Sequence, residues 1–405
     1  MRKRLVILIP KLSGGGVARV ISYLSSLAPS DYEVVIVLFK KEISYNTKSR
    51  IYVLRNNYYG GALDRIKSII EVYRILHRES AEAVLGCKKD GRNIALLQMF
   101  SKPFIRIEAH PKSPPIFGLR GKLPYFLKTR ILYRRARKII VISAAIKQYF
   151  MENYGLPSSK IVVIYNPCDV KSIRTHASEV LDKQEEKFFE INNVLISVSR
   201  LSKEKGQHHL IRVFRHVNGE IPNTRLILVG DGPLRPYLEK LISDLCLEGK
   251  ALILGWRSNP FKYMARSTLF CLSSTREGFP NVVVESLACG LPVMSADCLS
   301  GPREILAPRT EYKVERLREP EYGKYGILMP VMDGKLYTAN DPLTWQEEVW
   351  AEEIIKLLKD PRPLEEYRRK ALKRALDFDA EKQVKRYFDV IFESKNRVKT
   401  NDINK

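Results

Sequence analysis

The sequence predicts an α/β protein built from two doubly wound halves, and three observations carry that prediction. Short apolar, β-branched runs recur along the chain. Stretches with helical spacing separate them. The alternation pauses once near the middle and then restarts. Apolar strands alternating with helices form parallel sheets covered on both faces, because only a strand buried on both sides is apolar throughout.

In the first half the predicted strands are residues 5–9, 34–39, 51–54, 83–85, 104–108, 139–142 and 161–164, with helical patterns over 17–27 and 66–76. The first run follows the basic Met1-Arg2-Lys3-Arg4 start but ends at Pro10, Lys11 and a glycine cluster. It is too short for a secretion signal or a spanning helix and is predicted as a buried strand. Residues 166–193 carry Pro167, several charges and no clear apolar periodicity, the marks of a linker. Strands resume at 194–198, 226–229, 252–254, 269–272, 292–295 and 327–329, with helices over 207–217 and 236–247. The expected division is a basic domain over 1–170, a linker over 171–192 and a second domain over 193–380. A C-terminal helix from 381, packing back on the first domain, and a flexible tail to 405 complete it. Ligands of such sheets bind beyond the carboxyl ends of the strands, so a cleft between the halves is the expected site.

Charge is unevenly spread. Residues 1–180 hold 32 of the 69 Lys/Arg and 12 of the 45 Asp/Glu, a formal +20 within the total of +24. The first half therefore calls for an anionic partner: nucleic acid, anionic lipid or a phosphorylated acceptor. The 6 cysteines (Cys87, Cys168, Cys246, Cys271, Cys289 and Cys298) form no CxxC pair, and several lie in apolar runs. That pattern predicts a reducing compartment with neither disulfide framework nor zinc site.

The stretch over 273–292 is the most informative. It leaves a strand, passes Glu277 and Gly278, and enters a helix near Pro280 and Asn281, with Glu285 inside that helix. Proline suits a first helical turn, and backbone N–H groups around Gly278, Phe279, Pro280 and Asn281 would offer an anion site beside two carboxylates. Phosphates and hydroxyls on one ligand would suit that pairing. A second constellation, over 197–206, places Arg200 and Lys205 at another strand end, where two cations could neutralise a diphosphate. Lys203 is expected nearer solvent. Gly14, Gly15 and Gly16 follow the first strand, and Arg19 stands where a GxGxxG fingerprint needs its third glycine. A nicotinamide site is thereby disfavoured, while close backbone approach to a ligand stays open beside a plain turn. His110 follows the strand at 104–108 and could face the cleft; a packed or surface histidine would read the same way. Residues 120–138 interleave Lys128, Arg130, Arg134, Arg135, Arg137 and Lys138 with apolar positions. From about 124 onward they predict a basic amphipathic helix, suited either to anionic lipid or to plain packing with a solvated face.

Together these stretches resemble the retaining glycosyltransferase family 4, of the GT-B architecture: two Rossmann-like domains facing a central cleft. Glu277 and Glu285 match its EX7E motif. Arg200 and Lys205 match its diphosphate clamp, with Ser199 where glycine is common. Gly230-Asp231-Gly232-Pro233, Asn166-Pro167 and residues 326–330 look like further landmarks. The resemblance implies that Arg200 and Lys205 grip the donor diphosphate, Glu285 the ribose and Glu277 the transferred sugar. Gly15 and Gly16 would approach the phosphates, and amides near Gly278, Phe279, Pro280 and Asn281 the sugar or phosphate. His110 would contact the donor sugar. It also implies retention of anomeric configuration, no metal and no cofactor beyond the nucleotide-diphosphate-sugar. The stretch 277–281 and Ser300-Gly301-Pro302 look like members that build bacterial surface polysaccharides. These favour UDP-sugars and polyprenyl-diphosphate-linked or glycan acceptors at a cytoplasmic membrane face. Two other classes compete. A nucleotide-sugar epimerase of similar fold would need no acceptor. A nucleic-acid-binding protein would explain the cationic half but not the strand-end glutamates.

Overall fold

The computed structural model describes residues 2–13, 15–56, 61–87, 103–107, 130–131, 133–191, 193–310 and 317–392. They divide into two compact units, one reaching Pro167 and taking in the helix from Ala380, the other spanning Cys168–Asp379.

In the first unit seven strands, β1 (Lys3–Ile9), β2 (Tyr32–Leu38), β3 (Arg50–Val53), β4 (Ala83–Cys87), β5 (Phe104–Ile107), β6 (Lys138–Val141) and β7 (Ile161–Val163), form a sheet of order β3-β2-β1-β4-β5-β6-β7. Every pairing is parallel, with Leu5 facing Val34 on one side and Ala83 on the other. Parallel pairing needs a crossover between strands, and the helices Gly15–Ser26, Ala62–Arg78 and Ala144–Tyr154 provide it. Alternate residues of β1 then enter different cores. Leu5, Ile7 and Ile9 pack with Ile21 and Leu24, while Val6 and Leu8 pack with Val72, Ile75 and Leu76. The helix Ala380–Phe392 adds Val384, Tyr387, Phe388 and Ile391 to the first of these cores. Buried Arg106 fastens it, donating from Nε to the Tyr387 hydroxyl and from a terminal nitrogen to Asn166 Oδ1, both at 2.7 Å.

The second unit repeats the plan. β8 (Asn193–Val198), β9 (Thr224–Val229), β10 (Ala251–Gly255), β11 (Leu269–Leu272), β12 (Val293–Ala296), β13 (Glu321–Tyr322) and β14 (Ile327–Met329) take the order β10-β9-β8-β11-β12-β14-β13. The pairings are parallel except β13 with β14. In both sheets the strand order reverses beside the first strand, between β1 and β4 and between β8 and β11. That reversal opens a crevice at the carboxyl ends, the ordinary ligand position of such sheets.

Two sequence expectations change. Residues 171–192, read as a linker, carry the helices Val170–Ala177 and Lys183–Glu186 and belong to the second unit. Asp169 caps the first and an Asp182–Glu185 box caps the second. Helices of 8 and 4 residues repeat their apolar positions too few times to be seen in sequence. Glu185 is gripped by Lys262 at 2.6 Å and by the Tyr263 hydroxyl, which hold its pKa down at about 2 against the opposing effect of burial. The basic helix predicted through 138 also ends early. Arg130, Arg134 and Arg135 are helical, but Lys138 opens β6 and donates to Ser159 O at 2.5 Å. The Arg137 guanidinium lies over the Phe104 ring, 5.4 Å from its centroid. Strand pairing with Phe104 claims this backbone before the helical pattern can run on. Lys128 lies outside the described residues.

Candidate functional site

At the strand-order reversal of the second unit, β8 and β11 each release a loop. The loop after β8 is pinned by Ser199 N–H to Val229 O and Leu201 N–H to Asp231 O, both at 3.0 Å. Close approach makes Gly230 and Gly232 necessary: a Cβ there would stand 2.0 Å from Ser199 O or 2.3 Å from Leu201 O. Gln207 Nε2 donates to Ser199 Oγ at 2.7 Å and to Arg200 O at 2.9 Å, so the serine standing for glycine gives the loop an extra anchor. Arg200 is left exposed beside it. The short turn Lys203–Lys205 then closes on Gly206, in the left-handed region at φ +69°. A side chain here would be strained, and its Cβ would come within 2.2 Å of Ser273 O.

That contact brings the two loops together. Ser273 Oγ donates to Lys205 O at 3.0 Å. Lys205 Nζ donates to Glu277 Oε1 at 2.6 Å, and Ser274 Oγ donates to the same oxygen at 2.8 Å. Backbone bonds fix the glutamate: Glu277 N–H donates to Leu299 O at 3.1 Å, and Ser300 N–H donates to Glu277 O at 2.8 Å. Ser300 Oγ donates to Gly278 O at 2.6 Å. The side chains of Lys205 and Glu277 remain 23% and 11% exposed, open enough for a ligand to reach. Beneath them Cys298 is buried, which pushes its thiol pKa well above the usual range, with the nearby Glu277 charge adding to the shift.

Pro280 caps the helix Asn281–Ala288, on which Glu285 is buried at 8% exposure. Phe279 is buried against Phe378, ring centroids 5.5 Å apart. Of the residues singled out from sequence, Arg200, Lys205, Glu277, Gly278, Phe279, Pro280, Asn281 and Glu285 thus lie on two neighbouring loops and one helix start. Gly15 and Gly16 open the helix that follows β1 in the other unit. His110 lies outside the described residues. Sequence reasoning passed over Ser274 and Gln207. A hydroxyl three residues before a glutamate, and an amide at a helix start, were the available signals. Among the described residues no group of three or more His, Cys, Asp or Glu side chains is placed to hold a metal ion.

The same architecture occurs in known structures. A UDP complex of an Anabaena protein superposes with TM-score 0.70 at 20% identity, covering 98% of this chain and 100% of that one. A glycosyltransferase involved in lipopolysaccharide biosynthesis superposes with TM-score 0.68 at 15% identity, covering 96% and 99%. At these identities the likeness concerns the fold, which is that of GT-B proteins. Sequence models carry the assignment further. Residues 14–172 match the model "Glycosyltransferase Family 4" and residues 179–312 the model "Glycosyl transferases group 1". The two matches, one for each unit, make the chain a glycosyltransferase, with the family 4 match lying almost wholly in its first unit. It is similar to an uncharacterized glycosyltransferase of Methanocaldococcus jannaschii, 36% identical over 273 residues that make up 67% of this chain and 66% of the relative. A 4-alpha-N-acetylgalactosaminyltransferase of Campylobacter jejuni, named for a diphospho-undecaprenol-linked glycan, is 28% identical over 313 residues, 75% of this chain and 83% of that one.

Proposed function

We propose that the chain is a retaining glycosyltransferase that moves a sugar from a UDP-sugar to a lipid-linked acceptor, of the polyprenyl-diphosphate kind, in surface polysaccharide or glycolipid synthesis at the cytoplasmic membrane face. The observation that carries this reading is the Lys205–Glu277 pair held at the strand-order reversal with Ser274 on the same carboxylate oxygen. A cation fixed there suits a departing diphosphate, and a carboxylate beside it suits the hydroxyls of the sugar being transferred. Undecaprenol in the name of the Campylobacter relative, and UDP in the Anabaena complex, support the choice of acceptor and donor.

In this mechanism Arg200 and Lys205 neutralise the charge that develops on the leaving diphosphate. Glu277 orients the sugar through its hydroxyls, Glu285 takes the ribose, and His110, with Gly15 and Gly16, completes the donor contacts. The leaving phosphate accepts the acceptor's proton on the same face, so configuration is retained and no metal is required.

The test is release of UDP from UDP-sugars in the presence and absence of a polyprenyl-diphosphate sugar, with the product anomer read by NMR. Acceptor-dependent release with retained configuration supports the assignment. Sugar inversion at a ring carbon without any acceptor would make the protein an epimerase instead. Turnover that collapses on chelation would remove the metal-independent mechanism.

A further inference from the structure

The helix Gln207–Glu220 starts directly after the Gly206 turn that follows Lys205, and its second and third residues are histidines, both fully buried. Their partners come from a strap over 333–341, the stretch between β14 and the helix Trp345–Lys359. His208 Nε2 donates to Lys335 O at 2.8 Å. Burial keeps the ring neutral, and a carbonyl only accepts, so the proton sits on Nε2. The other ring nitrogen, Nδ1, is buried with no hydrogen-bond partner among the described residues. The bond to the strap is thus the one polar tie the ring makes there. His209 Nδ1 donates to Glu347 Oε1 at 2.8 Å, and its Nε2 lies 3.4 Å from Asp333 Oδ1. Asp333 holds the turn of the strap, accepting from Lys335 N–H at 2.9 Å and from the Tyr337 hydroxyl at 2.5 Å.

The turn so held reaches the site. Gly334 is in the left-handed region at φ +73°, and a Cβ on it would stand 3.2 Å from the Thr275 methyl carbon. Thr275 lies two residues before Glu277 and ties the two site loops together. Its N–H donates to Glu204 O at 2.9 Å and its hydroxyl to the same oxygen at 3.2 Å, and Glu204 immediately precedes Lys205. A line of contacts therefore runs from His208 through Lys335 and Gly334 to the crosslink beside the Lys205–Glu277 pair.

We infer that His208 is a positioning residue for the transfer reaction: through the strap it fixes Thr275, and with it the placement of Lys205 against Glu277. The inference rests on the reaction proposed for that pair. Place in the fold selects His208 over its neighbours. Arg212 also reaches the strap, but at the carbonyls of Thr338, Asp341 and Pro342, beyond the turn. His208 bonds the residue next to Gly334, where the strap meets the site loop. A lysine and a carboxylate that must meet a developing charge lose most of their effect when misplaced by about 1 Å, so slack in the strap is felt in turnover before it is felt in donor binding.

The test is amide hydrogen exchange of the full-length protein without donor, read at Thr275 and Glu277, whose N–H groups donate to Glu204 O and Leu299 O. Turnover of a UDP-sugar is measured on the same preparations. His208→Leu should speed exchange at both amides about tenfold and lower kcat about tenfold, with donor KM changed less than about threefold. His208→Gln, whose amide can donate to Lys335 O, should bring both back toward wild type. Gly334→Ala acts from the strap itself, so it serves if His208→Leu does not fold, and it should give the same pattern. A merely structural role would speed exchange across the whole second unit, Leu228 of β9 included, and would overturn the inference. So would unchanged exchange at Thr275 and Glu277 in a folded His208→Leu or Gly334→Ala, or a His208→Gln no better than His208→Leu. Loop exchange that responds as expected in a chain whose wild type transfers no sugar would overturn the proposed reaction and leave the coupling of strap to loop standing.

Discussion

Two glutamates of the second unit, Glu277 and Glu347, each grip a cationic side chain but are solvated differently. Glu277 meets Lys205 with 11% and 23% of the two side chains exposed. Glu347 meets Arg212 with 0% and 2% exposed, and its Oε1 also faces His209 Nδ1 at 2.8 Å. Arg212 Nε reaches the same oxygen at 2.9 Å, while its other nitrogens donate to the carbonyls of Thr338, Asp341 and Pro342. Glu347 also forms a capping box with Thr344 at the start of the helix Trp345–Lys359. These bonds hold the segment after β14 against the helix Gln207–Glu220. The open pair is held by few bonds and borders solvent, so a ligand can compete for either member. Two similar pairs therefore differ in role because one has been sealed from water.

The comparison breaks most directly at Glu347. Glu347→Ala leaves Arg212 buried with its charge uncompensated, and unfolding in urea should show a loss of about 3–5 kcal/mol. If the loss were under about 1 kcal/mol, the sealed cluster would not be the structural one. Lys205→Ala should behave in the opposite way. Turnover should fall about 10²–10³-fold, close to 3–4 kcal/mol in the barrier, with stability changed by about 1 kcal/mol. Equal losses of turnover and stability would erase the distinction.

Acid sharpens it further. Burial, with the neighbouring His209 charge, lowers the His208 pKa to about 4 from 6.5. Hydrogen bonds from His209 and Arg212 lower Glu347 to about 2 from 4.5, although burial alone would raise it. Both groups release protons more readily when folded. The contribution of His208 is present above pH 6.5 and is lost as pH falls to about 4; that of Glu347 is present above 4.5 and is lost toward 2. Stability, and with it the melting temperature, should fall through the upper window, by at most about 3.4 kcal/mol, and His208→Asn should flatten that part of the profile. A profile unchanged by the substitution would assign the acid sensitivity elsewhere. The smallest effect is expected at a pair open to water on all sides. Lys240 and Asp244 lie one helical turn apart at 2.8 Å with 74% and 40% of their side chains exposed, and Lys240→Ala should cost less than about 0.5 kcal/mol in urea.

Much of this was legible in the chain. The strands could be read because parallel strands buried on both faces are apolar throughout, and thirteen expected runs from 5–9 to 327–329 all contain observed strand residues. Only the two-residue β13 was absent from that reading, being too short to form a run. Arg200, Lys205, Glu277 and Glu285 could be singled out because charges beside a strand end and a helix start point to an anionic or hydroxyl-bearing ligand. The cluster around Glu347 could not. Its polar members sit 135 and 138 residues from their partners, and a histidine or arginine at a helix start looks solvated until something covers it.

By itself, then, the amino-acid order determined the strand and helix periods, the reversal-point loops and the cationic bias of the first half, because each is written in local spacing or composition. Only the tertiary structure decided that Lys205 meets Glu277, that Arg137 and Lys138 leave the basic helix for Phe104 and β6, and which apolar stripe of the helix Ala62–Arg78 faces outward. A helix apolar on two faces has a period but no inside. The inside is fixed only when a sheet covers one of them.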